Sequence, residues 1–131
     1  MRLLIDTHIA IWAIVAAPAL SSVARDMISD PNNEIFVSIV SLWEIALKNA
    51  AARRRGASFP VASEAAERAF HASGYSLLGL TAAHIHAVAN LDPIHHDPFD
   101  RLLIAQARET PLRLLTHDHV IPRYGDYVLS V

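Results

Sequence analysis

The sequence predicts a three-layer α/β/α domain built on a short, mainly parallel β-sheet. Two observations support this: short apolar segments typical of buried strands recur along the 131 residues, and segments of helical composition separate them. That alternation is typical of a parallel sheet with right-handed crossovers. The chain has no internal repeat and no low-complexity linker. We therefore expect one domain that spans residues 1–131.

Five segments are candidate strands. The first, RLLI, is apolar and leads into a long apolar, alanine-rich stretch that we expect to be helical. EIFVSIV is rich in β-branched and aromatic residues, and LRLLT has a similar apolar character, whereas the third and fifth segments are weaker. In chain order, the predicted strands cover residues 2–5, 34–40, 75–78, 112–116 and 127–131.

Capping residues mark where the helices between these strands should begin and end. Ser21 is placed to cap a helix that runs to residue 27, and Ser41 and Glu44 have the spacing of a capping box. Asp97 is a candidate cap, and the proline after it suits the first position of a helix that leads into residues 101–108. Gly74 predicts the end of a helix over residues 63–73. A further helix is expected over 81–90, and residues 50–60 are expected to form an exposed connection.

Composition excludes several classes of function. There are no cysteines, so disulfides, zinc thiolate sites and thiol nucleophiles are ruled out. The glycines form neither of the common phosphate-binding loops, and no G-x-S-x-G serine nucleophile is present. The longest uncharged apolar run, residues 9–20, is too short to span a bilayer. We expect a cytoplasmic protein that is not embedded in a membrane.

Four acidic residues occupy positions that predict a shared site. Asp6 directly follows the first predicted strand and Asp118 closely follows the fourth, while Glu44 and Asp100 lie about one turn into helices. The carboxyl ends of parallel strands share one edge of a sheet, so these side chains should converge there. Clustered carboxylates repel one another unless cations neutralise them, and oxygen ligands favour Mg²⁺ or Mn²⁺. Such ions activate water against phosphodiesters.

Each acid also has a purely structural interpretation. Asp6 and Asp97 are candidate helix caps, Glu44 could close the capping box, Asp100 could favour the helix dipole, and Asp118 could begin a turn. If these roles are the only ones, the chain is a non-catalytic α/β module that binds a protein partner. A phosphoacceptor signalling domain is the third hypothesis. It is less favoured because Lys48, the single lysine, is not near a late strand.

Basic and aromatic residues add candidates for substrate contacts. Arg53, Arg54 and Arg55 form the strongest local basic run, and they could hold a nucleic-acid backbone. Among the eight histidines, His96 and His119 are the candidates for contacting a substrate phosphate. Trp12 and Trp43 are expected to lie in the core or at an interface.

Four blocks occur in the order LLIDTHIAIW, SIVSLWEIALK, HHDPFDRLLIAQA and LLTHD. Together they resemble the PIN-domain ribonucleases, specifically the VapC toxins of type II toxin–antitoxin pairs, over nearly the whole chain. The resemblance implies a PIN-like fold and RNA cleavage with Mg²⁺ or Mn²⁺. It assigns the metal-binding and catalytic acids to Asp6, Glu44, Asp100 and Asp118.

The resemblance also bears on neighbouring residues and on partners. Thr116 matches a hydroxyl residue that the family has near its last acid, and Thr7 is a second candidate for supporting the site. The DPFD segment offers two acids, so Asp97 is either an extra acid or a helix cap. The implied partners are an RNA substrate, a second copy of the chain in a homodimer, and a cognate VapB-type antitoxin that blocks the acidic site.

Overall fold

The computed structural model describes residues 1–131 and contains one five-stranded sheet in which all neighbouring strands are parallel. The strands are β1 (Arg2–Ile5), β2 (Glu34–Ser38), β3 (Ser76–Leu78), β4 (Arg113–Thr116) and β5 (Val128–Ser130), in the order β3-β2-β1-β4-β5. The helices are α1 (Thr7–Ile14), α2 (Ser22–Ser29), α3 (Ile39–Arg54), α4 (Ser63–Ala72), α5 (Ala82–Ala89) and α6 (Pro98–Glu109), with a 3₁₀ turn at Ile121–Tyr124.

Helices cover both faces of the sheet, which confirms the predicted three-layer α/β/α fold. Successive side chains of a strand point to opposite faces. Accordingly, Leu3 and Ile5 of β1 pack in one apolar cluster with residues of α1, α2 and α4, including Phe70. Leu4 lies in a second cluster with residues of α6, including Leu103. The sheet is therefore buried on both sides, as its apolar strands require.

Helix α3 begins earlier than the sequence predicted, so the expected strand over 34–40 and the expected capping box are both wrong at this point. Pairing of β2 with its neighbours ends at Ser38. The hydroxyl of Ser38 accepts a hydrogen bond from the backbone N–H of Val40 and so caps the helix. Ser41 instead lies fully buried inside α3, where its hydroxyl pairs with that of Thr7 at 2.9 Å. The capping pattern at Ser41 therefore does not set the start of the helix, because the helix begins where the pairing of β2 ends.

The expected exposed connection over 50–60 is also wrong in its first half, because α3 continues to Arg54. Alanines at 50–52 have high helix propensity, and basic side chains in the last turn favour the negative end of the helix dipole. Arg53 and Arg54 occupy that last turn and Arg55 is the C-cap residue. All three side chains are exposed.

The other predicted caps are confirmed. Ser21 caps α2 by accepting the backbone N–H of Ala24 at 3.1 Å, and Asp97 caps α6. Gly74 follows α4 with a φ of 81°, a left-handed conformation that favours glycine. None of the helices combines the length and the apolar character that crossing a membrane would require.

Candidate active site

The order of the strands creates a crevice at the carboxyl ends of β1 and β4. From β1 the sheet extends to β2 on one side, and from β4 it extends to β5 on the other. Open α/β sheets bind ligands at such a switch point. The backbone N–H of Asp6 donates to the carbonyl of Leu115 at 3.0 Å and fixes the two strand ends together. A cavity of about 290 Å³ opens here, lined by Asp6, His8, Trp12, Asp100, His117 and Asp118.

A larger hollow of about 560 Å³ lies elsewhere, along the 28–35 segment and residues 73–75. It lies by the amino end of β2, and only two acids, Asp30 and Glu34, line it. The smaller cavity is the candidate site because three acids from three separate chain segments meet there.

Asp6 has a structural role and a place in the cavity at the same time. Its Oδ1 caps α1 by accepting the backbone N–H of Ile9 at 2.8 Å. Its Oδ2 accepts a hydrogen bond of 2.6 Å from the hydroxyl of Thr116. Burial raises the pKa of Asp6 above its ordinary value, although these hydrogen bonds oppose the increase. The carboxylate is therefore held rigidly where a cation would lower its electrostatic cost.

Thr116 connects two of the acids. Its hydroxyl donates to Asp6 and accepts the backbone N–H of Asp118 at 3.0 Å. Thr7 does not contact an acid through its hydroxyl; it pairs with Ser41 and joins the start of α1 to α3. The structure thus gives Thr116 a direct supporting position and Thr7 an indirect one.

Asp118 is held by the backbone that follows it. Burial raises the pKa of Asp118, but hydrogen bonds to its Oδ1 from the backbone N–H groups of Val120 at 2.6 Å and Ile121 at 3.1 Å hold it below the ordinary value. The turn that the sequence offered as an alternative role is therefore present. The second oxygen, Oδ2, remains on the cavity side and faces His95 at 3.3 Å.

Asp100 differs from Asp6 and Asp118 because no backbone N–H group donates to its carboxylate. Burial, and then the negative charge of Asp97, raise the pKa of Asp100 to about 7. The charges of Asp6 and Glu44 act in the same direction, while His95 opposes them. Asp97 does not line the cavity; its Oδ1 accepts the N–H groups of Phe99 and Asp100 as a helix cap.

Glu44 lies behind the cavity instead of in its lining. Only 5% of the surface of Glu44 is exposed to solvent. One carboxylate oxygen pairs with Nζ of Lys48 at 2.9 Å, and the other, Oε1, is buried without a hydrogen-bond partner. Buried carboxylate oxygens without a partner are costly. The negative charge of Glu44 is close enough to raise the pKa of Asp100. The unpaired oxygen of Glu44 could be satisfied by a bound cation or by an ordered water.

His95 is the site residue that the sequence analysis missed. Its Nε2 lies 3.4 Å from Oδ2 of Asp100 and 3.3 Å from Oδ2 of Asp118. Its Nδ1 accepts the backbone N–H of Asp97 at 3.1 Å. Because an N–H group can only donate, Nδ1 carries no proton and Nε2 must carry one. His95 therefore donates a hydrogen bond to Asp118, and the same ring nitrogen lies beside Asp100, so the ring stands between the two acids.

The ligand-type atoms of His95, Asp100 and Asp118 all lie within 4.8 Å of one another. With Nε2 protonated, the imidazole cannot ligate a cation through that atom, so the donor set that remains is made of carboxylate oxygens. This set fits a hard divalent cation. The unpaired Glu44 Oε1 and the raised pKa of Asp100 both indicate negative charge that the protein itself does not compensate.

The predicted basic and histidine contacts lie outside the cavity. The arginines at 53–55 begin nine residues after Glu44 on α3, which places them more than about 13 Å further along that helix. His96 and His119 are exposed and do not line the cavity. Arg101 donates to backbone carbonyls, including those of Val88 and His95, and not to the acids.

Comparison with known proteins gives a family for this arrangement. The model of a family described as the PIN domain matches residues 3–127. No curated protein sequence matches the chain. Solved structures that share its fold include the two that follow. One, VapBC2 from Rickettsia felis bound to a DNA fragment from the promoter, has a TM-score of 0.69 and 16% identity, covering 100% of this chain and 98% of that one.

The second is VapC20 of Mycobacterium tuberculosis, a toxin that cleaves the sarcin-ricin loop. It has a TM-score of 0.62 and 17% identity, covering 94% of this chain and 95% of the other. At these identities the likeness concerns the fold.

Proposed function

Because the chain belongs to the PIN domain family, we propose that it is a Mg²⁺- or Mn²⁺-dependent endoribonuclease and the toxin of a toxin–antitoxin pair. The observation that carries this proposal is the meeting of Asp6, Asp100 and Asp118 in one cavity at the strand switch point. The same cavity has an acid behind it, Glu44, with an unpaired buried oxygen.

In this proposal Asp6, Glu44, Asp100 and Asp118 hold the ion. A divalent ion held there supplies activation of water and stabilisation of the negative charge that develops on the phosphodiester. Thr116 orients Asp6 through its 2.6 Å hydrogen bond, and His95 fixes the spacing of Asp100 and Asp118. Residues that orient ligands in this way commonly affect metal affinity as strongly as some ligands do.

Asp100 adds a dependence on pH. Its pKa of about 7 means that the carboxyl group is about half protonated near neutral pH without an ion. A protonated carboxyl is a poor ligand for a hard cation, so ion binding should release this proton. Cleavage should therefore increase as the pH rises towards and through 7.

We also propose a VapB-type antitoxin and a second copy of the chain as protein partners. The fold is shared with a VapBC2 structure and with the VapC20 toxin. On α3, the large apolar side chains of Ile39, Trp43 and Leu47 are 42%, 53% and 46% exposed at a spacing of four residues. A stripe of this kind on one helix face is typical of a protein contact.

The test is cleavage of RNA by the purified chain with Mg²⁺, with Mn²⁺ and with EDTA, compared for the wild type and Asp6→Asn. Asparagine can still cap α1, so the variant should fold and lose cleavage. Asp26→Asn, which changes an exposed acid of α2, is the matched control and should cleave normally. Unchanged cleavage by Asp6→Asn would refute the assignment.

The same samples separate the enzyme from the non-catalytic binding module. A nuclease of the proposed type is stabilised against heat by divalent ions, and this stabilisation should be lost in Asp6→Asn. A binding module whose acids act only as helix caps would show neither cleavage nor ion-dependent stabilisation.

A further inference from the structure

A line of aromatic rings borders the acidic cavity, and the proposed chemistry uses none of them. His8 lies 5.8 Å from Trp12, Trp12 lies 5.3 Å from His117, and His117 lies 5.8 Å from His119, measured between ring centroids. We call these four residues the ring wall. His8, Trp12 and His117 line the cavity together with the three acids.

The ring wall is exposed on its outer side and anchored on its inner side. Trp12 is partly buried and packs against the apolar cluster on one face of the sheet. The three histidines are exposed. His117 is fixed because its Nδ1 donates to the backbone carbonyl of Val131 at 2.9 Å, and a carbonyl can only accept. Trp12 and His117 are thus held by the fold, and His8 and His119 each lie beside one of them.

The rings do not stack on one another, and the three histidines keep surface that is exposed to solvent. Neighbouring rings meet at interplanar angles of 41°, 75° and 50°, so they contact one another by tilted or edge arrangements and not as parallel stacks. None of the three histidines of the wall belongs to the cluster of ligand-type atoms formed by His95, Asp100 and Asp118. A role as metal ligands therefore does not account for them.

We propose that the ring wall is a stacking subsite for an unpaired nucleobase of the RNA, next to the phosphodiester bond that is cleaved at the acidic cavity. This inference rests on the proposed ribonuclease function and assigns the four residues of the ring wall to holding one base of the RNA substrate. Bases that are splayed out of a helix stack on aromatic side chains, histidine included, whereas bases within an A-form duplex have no free face. The cavity volume of about 290 Å³ is several times the roughly 30 Å³ that one water occupies, which leaves space beside an ion.

The first test uses the fluorescence of Trp12. The chain has two tryptophans, so Trp43→Phe leaves Trp12 as the single reporter. In EDTA, where the proposed cleavage is absent, a short single-stranded RNA should quench Trp12 in a saturable way. A perfectly paired, blunt-ended RNA duplex of the same length, which has no loop, should not. Saturable binding of the single-stranded RNA without quenching, measured in parallel by anisotropy of a labelled RNA, would overturn the subsite.

The second test measures RNA affinity in variants. Loss of one stacked base should weaken binding about 5- to 100-fold. We expect this for Trp12→Leu, and a smaller loss for Trp12→Phe, which keeps a ring. His8→Ala combined with His117→Ala changes exposed residues only, so it provides the test if Trp12→Leu does not fold. His71→Ala on α4, also exposed, is the control and should bind as the wild type does.

These outcomes separate the subsite from the ribonuclease proposal. If the wild type cleaves RNA with Mn²⁺ while Trp12→Leu and the double histidine variant keep wild-type affinity and KM, only the subsite is wrong. If Trp12 is quenched by single-stranded RNA but no ion supports cleavage, the nuclease is wrong and the base-binding surface stands. Absence of any binding to single-stranded RNA overturns the subsite.

Discussion

Replacing Asp100 with asparagine should stabilise the ion-free protein while abolishing its activity. In the folded chain the pKa of Asp100 is raised from 3.8 to about 7, by burial first and by the charge of Asp97 second. At 1.36 kcal/mol per pKa unit this difference corresponds to about 4 kcal/mol. The side chain is 25% exposed, and solvent screening reduces such terms, so we expect about half, roughly 2 kcal/mol.

The direction of the pH dependence of stability follows from the protonation of Asp100 in the folded and unfolded chain. Above pH 7 Asp100 is ionised in both the folded and the unfolded chain, and the folded state bears the full cost of the buried charge. Below pH 4 the group is protonated in both states and the cost vanishes. Stability due to Asp100 therefore falls as the pH rises from about 4 to about 7. Asp100→Asn removes this dependence, because asparagine does not ionise.

Urea unfolding in EDTA at pH 4, 6 and 8 measures the effect. The free energies of unfolding of Asp100→Asn and the wild type should agree at pH 4, and the variant should be more stable by roughly 2 kcal/mol at pH 8. Asp118→Asn is the matched control with the opposite sign. The pKa of Asp118 is lowered, since backbone N–H groups outweigh its burial, so that variant should lose stability at pH 8.

Adding Mg²⁺ completes the experiment. An ion that binds only the folded chain stabilises the wild type by about 2.7 kcal/mol at 100 times its Kd, and the variant should gain far less. An Asp100→Asn variant that is no more stable than the wild type at pH 8 in EDTA would refute the reasoning about its buried charge.

Three further predictions concern the surroundings of the site. Glu44→Gln should weaken Mn²⁺ binding in calorimetry by about tenfold or more, and equal affinity would remove Glu44 from the ligand set. His95→Ala should lower ion affinity and cleavage about 10- to 100-fold because Asp118 loses a donor and the ring between Asp100 and Asp118 is removed; His95→Gln, which keeps a donor, should recover part of both. Replacing all three arginines at 53–55 with alanine should weaken RNA binding and reduce its salt dependence with kcat unchanged, and an unaltered salt slope would exclude them as phosphate contacts.

Much of the fold could be predicted because the strands are short and buried on both faces. The strands RLLI and RLLT have polar residues only at their ends, so their apolar character alone identifies them. The positions of Asp6 and Asp118 then follow from the rule that parallel strands end at one edge. The start of α3 could not be predicted, because Ser38 and Ser41 are both good caps and only the pairing of β2 decides between them.

His95 could not be found from the sequence for a similar reason. It is adjacent to His96, and both lie in a segment with two prolines and two aspartates. What distinguishes them is a backbone N–H of Asp97 that meets Nδ1 of His95, together with a turn after β4 that brings Asp118 within 3.3 Å. These contacts depend on the folded path of the loop and leave no pattern in residue spacing.

The structural and the functional interpretations of the acids do not exclude each other. Asp6 and Asp118 each use Oδ1 to accept backbone N–H groups, which leaves Oδ2 fixed at the cavity. The capping hydrogen bonds thereby orient each carboxylate before any ion binds. The side chains of Asp6 and Asp118 consequently lose less conformational freedom when the ion binds. Asp100 has no such donor, because Asp97 takes the capping role in its helix. With its pKa raised to about 7, Asp100 should therefore release a proton when a cation binds.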